Sequence, residues 1–288
     1  MSDTLHPLRT PVDPVVRDLA RVMHEVCEAL ACDWFLTGAL AREILLVHIY
    51  GCLPGRETLD ADFAVHLPDW NAFESLKAAV LATNHFKPDP KVPHRMVFRA
   101  GTASQALKVD LVPFGGLADA AGRLVWPPDG SNVMDVQGYR VAHESCIRAD
   151  LGAGLTLPLA SSPGQVVMKL LAWSDQGLAR GGRDAQDFMT LLKDHHRVLG
   201  DDALFDRHLD DLERFRFDGQ MAAAFLLGKE VGTHTDPDLR KDLEAIVAPA
   251  RREHLLTNMV RGDFHLDSDA ALAHAESLLD TFQAGLQA

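Results

Sequence analysis

The segment TLDADFAVHL, residues 58–67, alternates polar and apolar side chains, which is typical of a β-strand with one buried face. Side chains two residues apart in a strand point the same way, so Thr58, Asp60 and Asp62 share one face. Two neighbouring carboxylates repel each other, and a cation, hydrogen-bond donors or water must therefore compensate them. The apolar face of the same strand carries Leu59, Ala61, Phe63, Val65 and Leu67.

A second segment, ALKVDLVPF at residues 106–114, repeats the pattern and leaves Asp110 on its polar face beside Lys108. If the two strands are neighbours, Asp60, Asp62 and Asp110 converge on one spot. Such a set suits Mg²⁺, and two ions ~3.5–4 Å apart activate a hydroxyl and stabilise a leaving phosphate. The alternative is that the first two aspartates are solvated on an open face and Asp110 pairs with Lys108 or an arginine.

Composition narrows the class of protein. The 288 residues carry a formal net charge of −13, which argues against a surface generally coated for nucleic acid but leaves room for a local basic groove. The four cysteines, Cys27, Cys32, Cys52 and Cys146, form no CxxC pair, so we expect reduced thiols. With no signal peptide and no long apolar run, the expected protein has no membrane segment and is cytoplasmic.

The order of the elements predicts an α+β fold. A small mixed-sheet domain over residues 1–160 is followed by a helical C-terminal domain over residues 161–288. The first begins with a helix capped by Asp13 and contains a strand, DWFLTG, that ends at Gly38. RMVFRA and ALKVDLVPF are expected to form a hairpin, and shorter strands are expected at RLVW, YRVA and LTLPLA.

Three ordered motifs, FLTGALAREILL, TLDADFAV and KVDLVPF, resemble those of the DNA polymerase β-like nucleotidyltransferase superfamily. The resemblance implies that Asp60 and Asp62 hold two Mg²⁺ ions, which Mn²⁺ can replace. Asp110 would bind one ion and help activate the attacking hydroxyl. Gly38 and the amides after it would cradle the nucleotide phosphates. Ala39 departs from the pattern, which has Ser or Gly at that position.

The second half of the chain resembles the helix pair of AbiEii/MenT-type nucleotidyltransferase toxins, in which a lysine helix precedes an Arg-Asp-x-x-Asp helix. By that resemblance Lys169 would reach the nucleotide phosphates, and Arg183, Asp184 and Asp187 would close the cleft or orient Lys169. The alternative is structural: an Arg183–Asp187 surface pair, Asp184 as a helix cap, and Lys169 extending its stem over apolar surface.

Related members also carry an arginine and a Ser or Thr just before the DxD motif, which matches Arg56 and Thr58. Arg56 on this strand face could neutralise the carboxylates or bind the triphosphate. Both residues join the set of expected nucleotide-binding positions.

The expected function is transfer of NMP from an NTP, such as ATP, to an acceptor hydroxyl. The resemblance implies a toxin of a toxin–antitoxin pair, with a tRNA 3′ end as acceptor and an antitoxin as partner. A cluster of basic residues motivates the RNA expectation: Lys169, Arg180, Arg183, Lys193 and Arg197. Two alternatives stay open, an antibiotic nucleotidyltransferase and a catalytically weak nucleotide-binding protein, the latter hinted at by Ala39.

Overall fold

A computed structural model describes residues 4–55, 58, 60–99, 106–176, 181–261 and 268–288. The chain forms two compact units, Met1–Ser161 and Ser162–Ala288. The first contains a mixed sheet with helices, and the second is helical in its described residues. The α+β class predicted from the sequence is therefore confirmed.

Eight of the described strands in the first unit form one sheet. The described strands are β1 (Leu5–Pro7), β2 (Trp34–Thr37), β3 (Asp60–Leu67), β4 (Phe86–Pro88), β5 (Arg95–Phe98), β6 (Leu107–Gly115), β7 (Arg123–Val125), β8 (Val133–Asp135), β9 (Ile147–Asp150) and β10 (Thr156–Leu159). The sheet has the order β1-β9-β10-β2-β3-β6-β5-β4, while β7 and β8 pair separately. Strand β10 lies in the segment LTLPLA where a strand was expected, whereas β1, β4 and β9 were not among the expected strands.

Strand β3 lies inside the sheet, antiparallel to β2 and parallel to β6. Ala61, Phe63 and Val65 are buried and Asp60 is exposed, as the alternation predicts. Strands β5 and β6 pair antiparallel, in agreement with the expected hairpin, although part of the connecting segment lies outside the described residues.

The described residues of the first unit also form four helical segments: α1 (Pro14–Ala29), α2 (Gly38–Glu43, continuing as a π-helix over Ile44–Ile49), α3 (Trp70–Ala82) and α4 (Gln137–Glu144). Helix α1 begins where expected because the Asp13 carboxylate accepts the Val15 N–H at 2.7 Å and Pro14 occupies the first turn. Leu19 and Met23 lie four residues apart on its buried face.

The strand expected at YRVA, residues 139–142, is wrong, because this segment belongs to α4. The Asp135 carboxylate accepts the Gln137 N–H at 2.9 Å just where the helix begins. Gly138, Val141 and Ala142 are buried, and their spacing is that of a helix. Four residues are too few for periodicity alone to distinguish the two structures.

The second unit contains α5 (Ser162–Gln176), α6 (Arg183–Leu199), α7 (Asp201–Arg207), α8 (Leu209–Arg214), α9 (Gly219–His234), α10 (Pro237–Val247), α11 (Pro249–Met259) and α12 (Ser268–Leu286). Helix α9 packs against α5, α6 and α12, and its middle is apolar on nearly all sides. It is therefore the core helix of this unit. None of the helices in the described ranges is long and apolar enough to cross a membrane.

Helices α9 and α12 approach at two glycines. A Cβ on Gly228 would lie 2.2 Å from the Phe282 carbonyl oxygen, and one on Gly285 would lie 2.0 Å from the Phe225 carbonyl oxygen. Both distances are far below contact distance to backbone atoms, which cannot move aside as a side chain can. The core of the second unit therefore depends on the absence of a side chain at these positions.

We expect Gly228→Ala and Gly285→Ala each to lower the free energy of unfolding by about 1–3 kcal/mol or more, because the added methyl forces the helices apart. Gly219→Ala on the same helix α9 is the matched control, since its Cβ would meet only Leu204 Cδ1 at 3.7 Å. Urea unfolding followed by circular dichroism measures the change. Equal midpoints for all three variants would contradict the close packing.

Candidate active site

Gly38 follows β2 directly and is the first residue of α2. Its φ of +75° lies in the left-handed region, and a Cβ there would lie 2.0 Å from Asp62 Oδ2. Thr37, the preceding residue, is paired in register with Asp62 across the antiparallel β2–β3 ladder. Two constraints therefore favour glycine at this position: the left-handed backbone conformation, and the lack of space for a Cβ beside the Asp62 carboxylate. The Asp62 side chain is held against the N-terminal turn of α2, where the helix dipole favours an anion.

The parallel pairing of β3 with β6 sets Asp62 opposite Asp110 and Asp60 opposite Lys108. Residues in register share a sheet face, so Asp60, Asp62 and Asp110 lie on the same one, as predicted from the two alternating segments. Their exposure differs: the Asp60 side chain is 56% exposed and that of Asp110 is 15% exposed. The sheet face that carries the aspartates is therefore open to solvent at Asp60 and largely enclosed at Asp110.

Asp110 is held by an arginine on the neighbouring strand. Arg95 is its register partner on β5, and the guanidinium donates from Nε to Oδ1 and from Nη2 to Oδ2, both at 2.7 Å. This hydrogen bonding raises the pKa of Arg95 above its ordinary value. The pair is bidentate and partly enclosed, so it fixes the plane of the carboxylate. The sequence analysis left open whether Asp110 pairs with Lys108 or with an arginine, and the observed partner is Arg95.

The contact at Asp60 is weaker. Lys108 Nζ lies 3.7 Å from Asp60 Oδ1, and both side chains are more than half exposed. Such a pair is screened by water and contributes little to stability. Asp60 is therefore positioned by its strand more than by its ion pair.

The carboxylates of Asp60, Asp62 and Asp110 are suitable ligands for a hard divalent cation, because Mg²⁺ prefers carboxylate oxygens. Each carboxylate oxygen has two lone-pair directions, so Asp110 can accept from Arg95 and still offer a lone pair on each oxygen. In the part of the chain that the structure describes, no group of three or more His, Cys, Asp or Glu side chains is arranged to hold a metal ion. The three aspartates share a face without closing into a cage.

Three other residues of the first unit were expected to bind nucleotide: Thr58, Ala39 and Arg56. The Thr58 hydroxyl donates to the Asp60 carbonyl oxygen and accepts the Asp60 N–H, each at 3.3 Å, which makes a local turn before β3. Ala39 is half-buried in the first turn of α2. Arg56 lies outside the described residues.

In the second unit, Lys169 of α5 joins two aspartates of α6. Its Nζ donates to Asp184 Oδ1 at 2.9 Å and lies 2.7 Å from Asp187 Oδ2. The side chains are 16%, 5% and 11% exposed, respectively. Burial by itself would lower the pKa of Lys169, but the charges of Asp187 and Asp184 outweigh it and raise the pKa above its ordinary value. The three residues form a compact ionic cluster, hereafter the Lys169 cluster.

This geometry bears on the two interpretations of the helix pair. The structural interpretation made Asp184 a helix cap, but its Oδ1 accepts from Lys169. Arg183 is exposed at the first position of α6. Asp184 and Asp187 both contact Lys169 Nζ, and the predicted role of the three residues at a nucleotide stays a prediction.

Arg95 is the residue that sequence reasoning missed. It lies in the predicted strand RMVFRA, where an arginine is easily interpreted as one of the charged residues that are common on edge strands. The available signal was the predicted hairpin, because pairing β5 with β6 sets some residue of RMVF opposite Asp110. Only the register identifies that residue as Arg95.

Comparison of the sequence with models of known protein families identifies one family. The model of the family described as "Nucleotidyl transferase AbiEii toxin, Type IV TA system" matches residues 21–284. Curated protein sequences give no significant match.

Several solved structures are distantly similar. An antigenic nucleotidyltransferase-like protein from Paracoccidioides brasiliensis is 16% identical, with a TM-score of 0.42 over 74% of this chain and 94% of that chain. The antibiotic-resistance factor ANT(2'')-Ia is 15% identical, with a TM-score of 0.38 over 71% and 98%. A Thermotoga maritima CCA-adding enzyme complexed with tRNA is 10% identical, with a TM-score of 0.25 over 96% and 79%. Likenesses this distant assign no substrate.

The family match spans nearly the whole chain and includes the segments that carry the DxD motif, the Gly38 turn and the Lys169 cluster. It confirms the resemblance stated from the sequence motifs. The chain belongs to the AbiEii family of nucleotidyltransferase toxins of type IV toxin–antitoxin systems, and it is a nucleotidyltransferase.

Proposed function

We propose that this nucleotidyltransferase moves NMP from an NTP to the 3′ hydroxyl of an RNA, with tRNA as the acceptor class. The observation that supports the site is the register of β3 with β6, which sets Asp62 opposite Asp110 while Gly38 leaves room for the Asp62 carboxylate. In the proposal the protein works in the cytoplasm, uses NTPs such as ATP, and is countered by an antitoxin. Its membership of a type IV toxin family supports that last partner.

In the proposed reaction the acceptor oxygen bonds to the α-phosphorus as the bond from that phosphorus to the pyrophosphate oxygen breaks in line. Pyrophosphate leaves, and the hydroxyl proton passes to Asp110. Asp60, Asp62 and Asp110 would hold two Mg²⁺ ions, or Mn²⁺, which neutralise the phosphates when bound. The chain itself contributes positioning: Gly38 orients Asp62, and the bidentate contact from Arg95 orients Asp110.

The amides after Gly38 are proposed to receive the nucleotide phosphates, with Ala39 supplying only its backbone. Arg56 and Thr58 are proposed to contact the triphosphate from the segment before β3. Lys169 is proposed to act on the phosphates as a point charge oriented by Asp184 and Asp187. Arg183 keeps the proposed role of closing the site.

The RNA acceptor is supported by two exposed arginines of α6. Arg183 and Arg197 are exposed near its two ends, whereas Lys169 is enclosed by two aspartates and Lys193 is half-buried. Arg180 lies outside the described residues. The exposed arginines are the proposed contacts to RNA phosphates.

We expect Asp62→Asn and Asp60→Asn each to lower nucleotidyl transfer at least ~100-fold, because each removes a preorganised charge from the reacting phosphates. The more exposed Asp60 should lose less than about 0.5 kcal/mol of stability when substituted. Pyrophosphate release and thermal unfolding measure the two effects. Asp18→Asn, an exposed carboxylate of α1, is the control and should leave both unchanged. Full activity in either site variant would remove that aspartate from the site.

The acceptor is tested by incubating the protein with each labelled NTP, Mg²⁺ and total cellular RNA, followed by a gel. We expect label on tRNA-sized bands, and none with Asp62→Asn. Arg183→Ala together with Arg197→Ala should weaken RNA binding and reduce the slope of log affinity against log salt by about two, one for each lost phosphate contact. Labelling of an aminoglycoside without any labelling of RNA would reject the RNA acceptor in favour of an antibiotic.

We expect Lys169→Met to lower the free energy of unfolding by about 3–5 kcal/mol, because it leaves two buried carboxylates without their shared cation. Adding Asp184→Asn and Asp187→Asn to the same chain should recover part of the loss, since the uncompensated charge disappears. Lys241→Ala, at an exposed lysine of α10, is the control and should change stability by less than about 0.5 kcal/mol. Equal effects of the Lys169 and Lys241 variants in urea unfolding would contradict the ionic cluster.

A further inference from the structure

The C-terminal end of α1 closes in a Schellman motif. The Cys32 N–H donates to the Cys27 carbonyl oxygen at 3.0 Å, and the Ala31 N–H donates to the Glu28 carbonyl oxygen at 3.1 Å. Ala31 has a φ of +51°, the left-handed conformation that this motif requires after the last helical turn. The motif places the side chains of Cys27 and Cys32 together, in positions that commonly hold an apolar pair.

Here that pair consists of two thiols. The covalent bonds and the 3.0 Å hydrogen bond that link the two α-carbons would span about 7.2 Å if all the atoms were in line, and the bent geometry brings the α-carbons closer. A disulfide needs roughly 4.4–6.8 Å between α-carbons. The motif thus brings the two α-carbons to the separation that a disulfide needs.

The two thiols differ in environment and in acidity. Cys27 is fully buried, whereas Cys32 is partly exposed. Interaction with the neighbouring Cys27 thiol lowers the pKa of Cys32. Interaction with Cys32, together with burial, raises the pKa of Cys27. The accessible sulfur is therefore the more reactive one, with a protonated thiol next to it.

We propose that Cys27 and Cys32 are a redox modification site, at which a peroxide converts the thiol pair into a reversible intramolecular disulfide. The Cys32 sulfur attacks one peroxide oxygen, the O–O bond breaks, and Cys32 becomes a sulfenic acid as one water is released. The Cys27 sulfur then attacks the Cys32 sulfur, the S–O bond breaks, and the Cys27 proton leaves with the oxygen as a second water. Two thiols lose two electrons and the peroxide gains them.

The remaining cysteines provide an internal comparison. Cys52 and Cys146 are buried and lie in other parts of the first unit, and burial raises the pKa of Cys146 to about 12. The Cys146 thiol donates to the Ala142 carbonyl oxygen at 3.0 Å. We expect both to remain reduced under oxidant that closes the proposed bridge.

The test treats the folded, reduced full-length protein with hydrogen peroxide, alkylates the remaining thiols and digests with trypsin. The peptide Val22–Arg42 contains both cysteines and no other. We expect it to be unlabelled and lighter by two hydrogens, and the free-thiol count to fall from four to two. Cleavage at Glu28, between the cysteines, should leave the fragments joined until dithiothreitol separates them and restores all the thiols.

Matched variants test the assignment. Cys146→Ser should still form the bridge, and Cys32→Ser should lose no thiols to intramolecular oxidation. Cys27→Ala should leave a sulfenic acid at Cys32 that dimedone traps. Since Cys27 is buried, the wild-type peptide map decides the question if that variant does not fold. Full alkylation of Cys27 and Cys32 after peroxide, a dimer joined through Cys32, or a bridge involving Cys52 or Cys146 would overturn the proposal.

Discussion

The parallel pairing of β3 with β6 determines the position of the acidic side chains in the candidate site. A slip of one residue in that register would turn Asp62 to the opposite face from Asp110 and bring Phe63 out of the core. The buried apolar faces of both strands oppose such a slip, so the packing of the sheet also sets the arrangement of charge. Antiparallel pairing with β2 then brings Gly38 against Asp62.

Both units compensate carboxylates with cations, but to different degrees. At the enclosed end of the sheet face, Arg95 contacts both oxygens of Asp110, while the exposed Asp60 has only a loose contact with Lys108. In the second unit one lysine serves two aspartates. The Lys169 cluster therefore compensates its carboxylates where solvent is least able to screen their charges.

The features that the sequence predicted are those carried by local periodicity. The alternation at residues 58–67 predicted the buried Ala61, Phe63 and Val65 and the exposed Asp60, although Ala64 on the face of Asp60 is buried. The order of the motifs predicted the α+β class and the family. The roles assigned to the site residues stay predictions. Contacts set by tertiary structure could not be predicted: Arg95 becomes the partner of Asp110 only through the β5–β6 register, and Lys169 is enclosed only because α5 packs on α6. The segment YRVA was too short for its period to separate helix from strand.

The packing of α9 on α12 has a consequence for synthesis of the protein. Helix α12 follows α9 in the chain after two intervening helices, yet Gly285 must seat on Phe225 before the core of the second unit is closed. The sheet unit, whose strands precede residue 161, can assemble while the rest is still being translated. Helix α9 can pack against α5 and α6 earlier, but its apolar side that faces α12 stays uncovered until α12 leaves the ribosome. The nascent second unit is therefore the stage of biogenesis at which chaperone binding or aggregation would compete with folding.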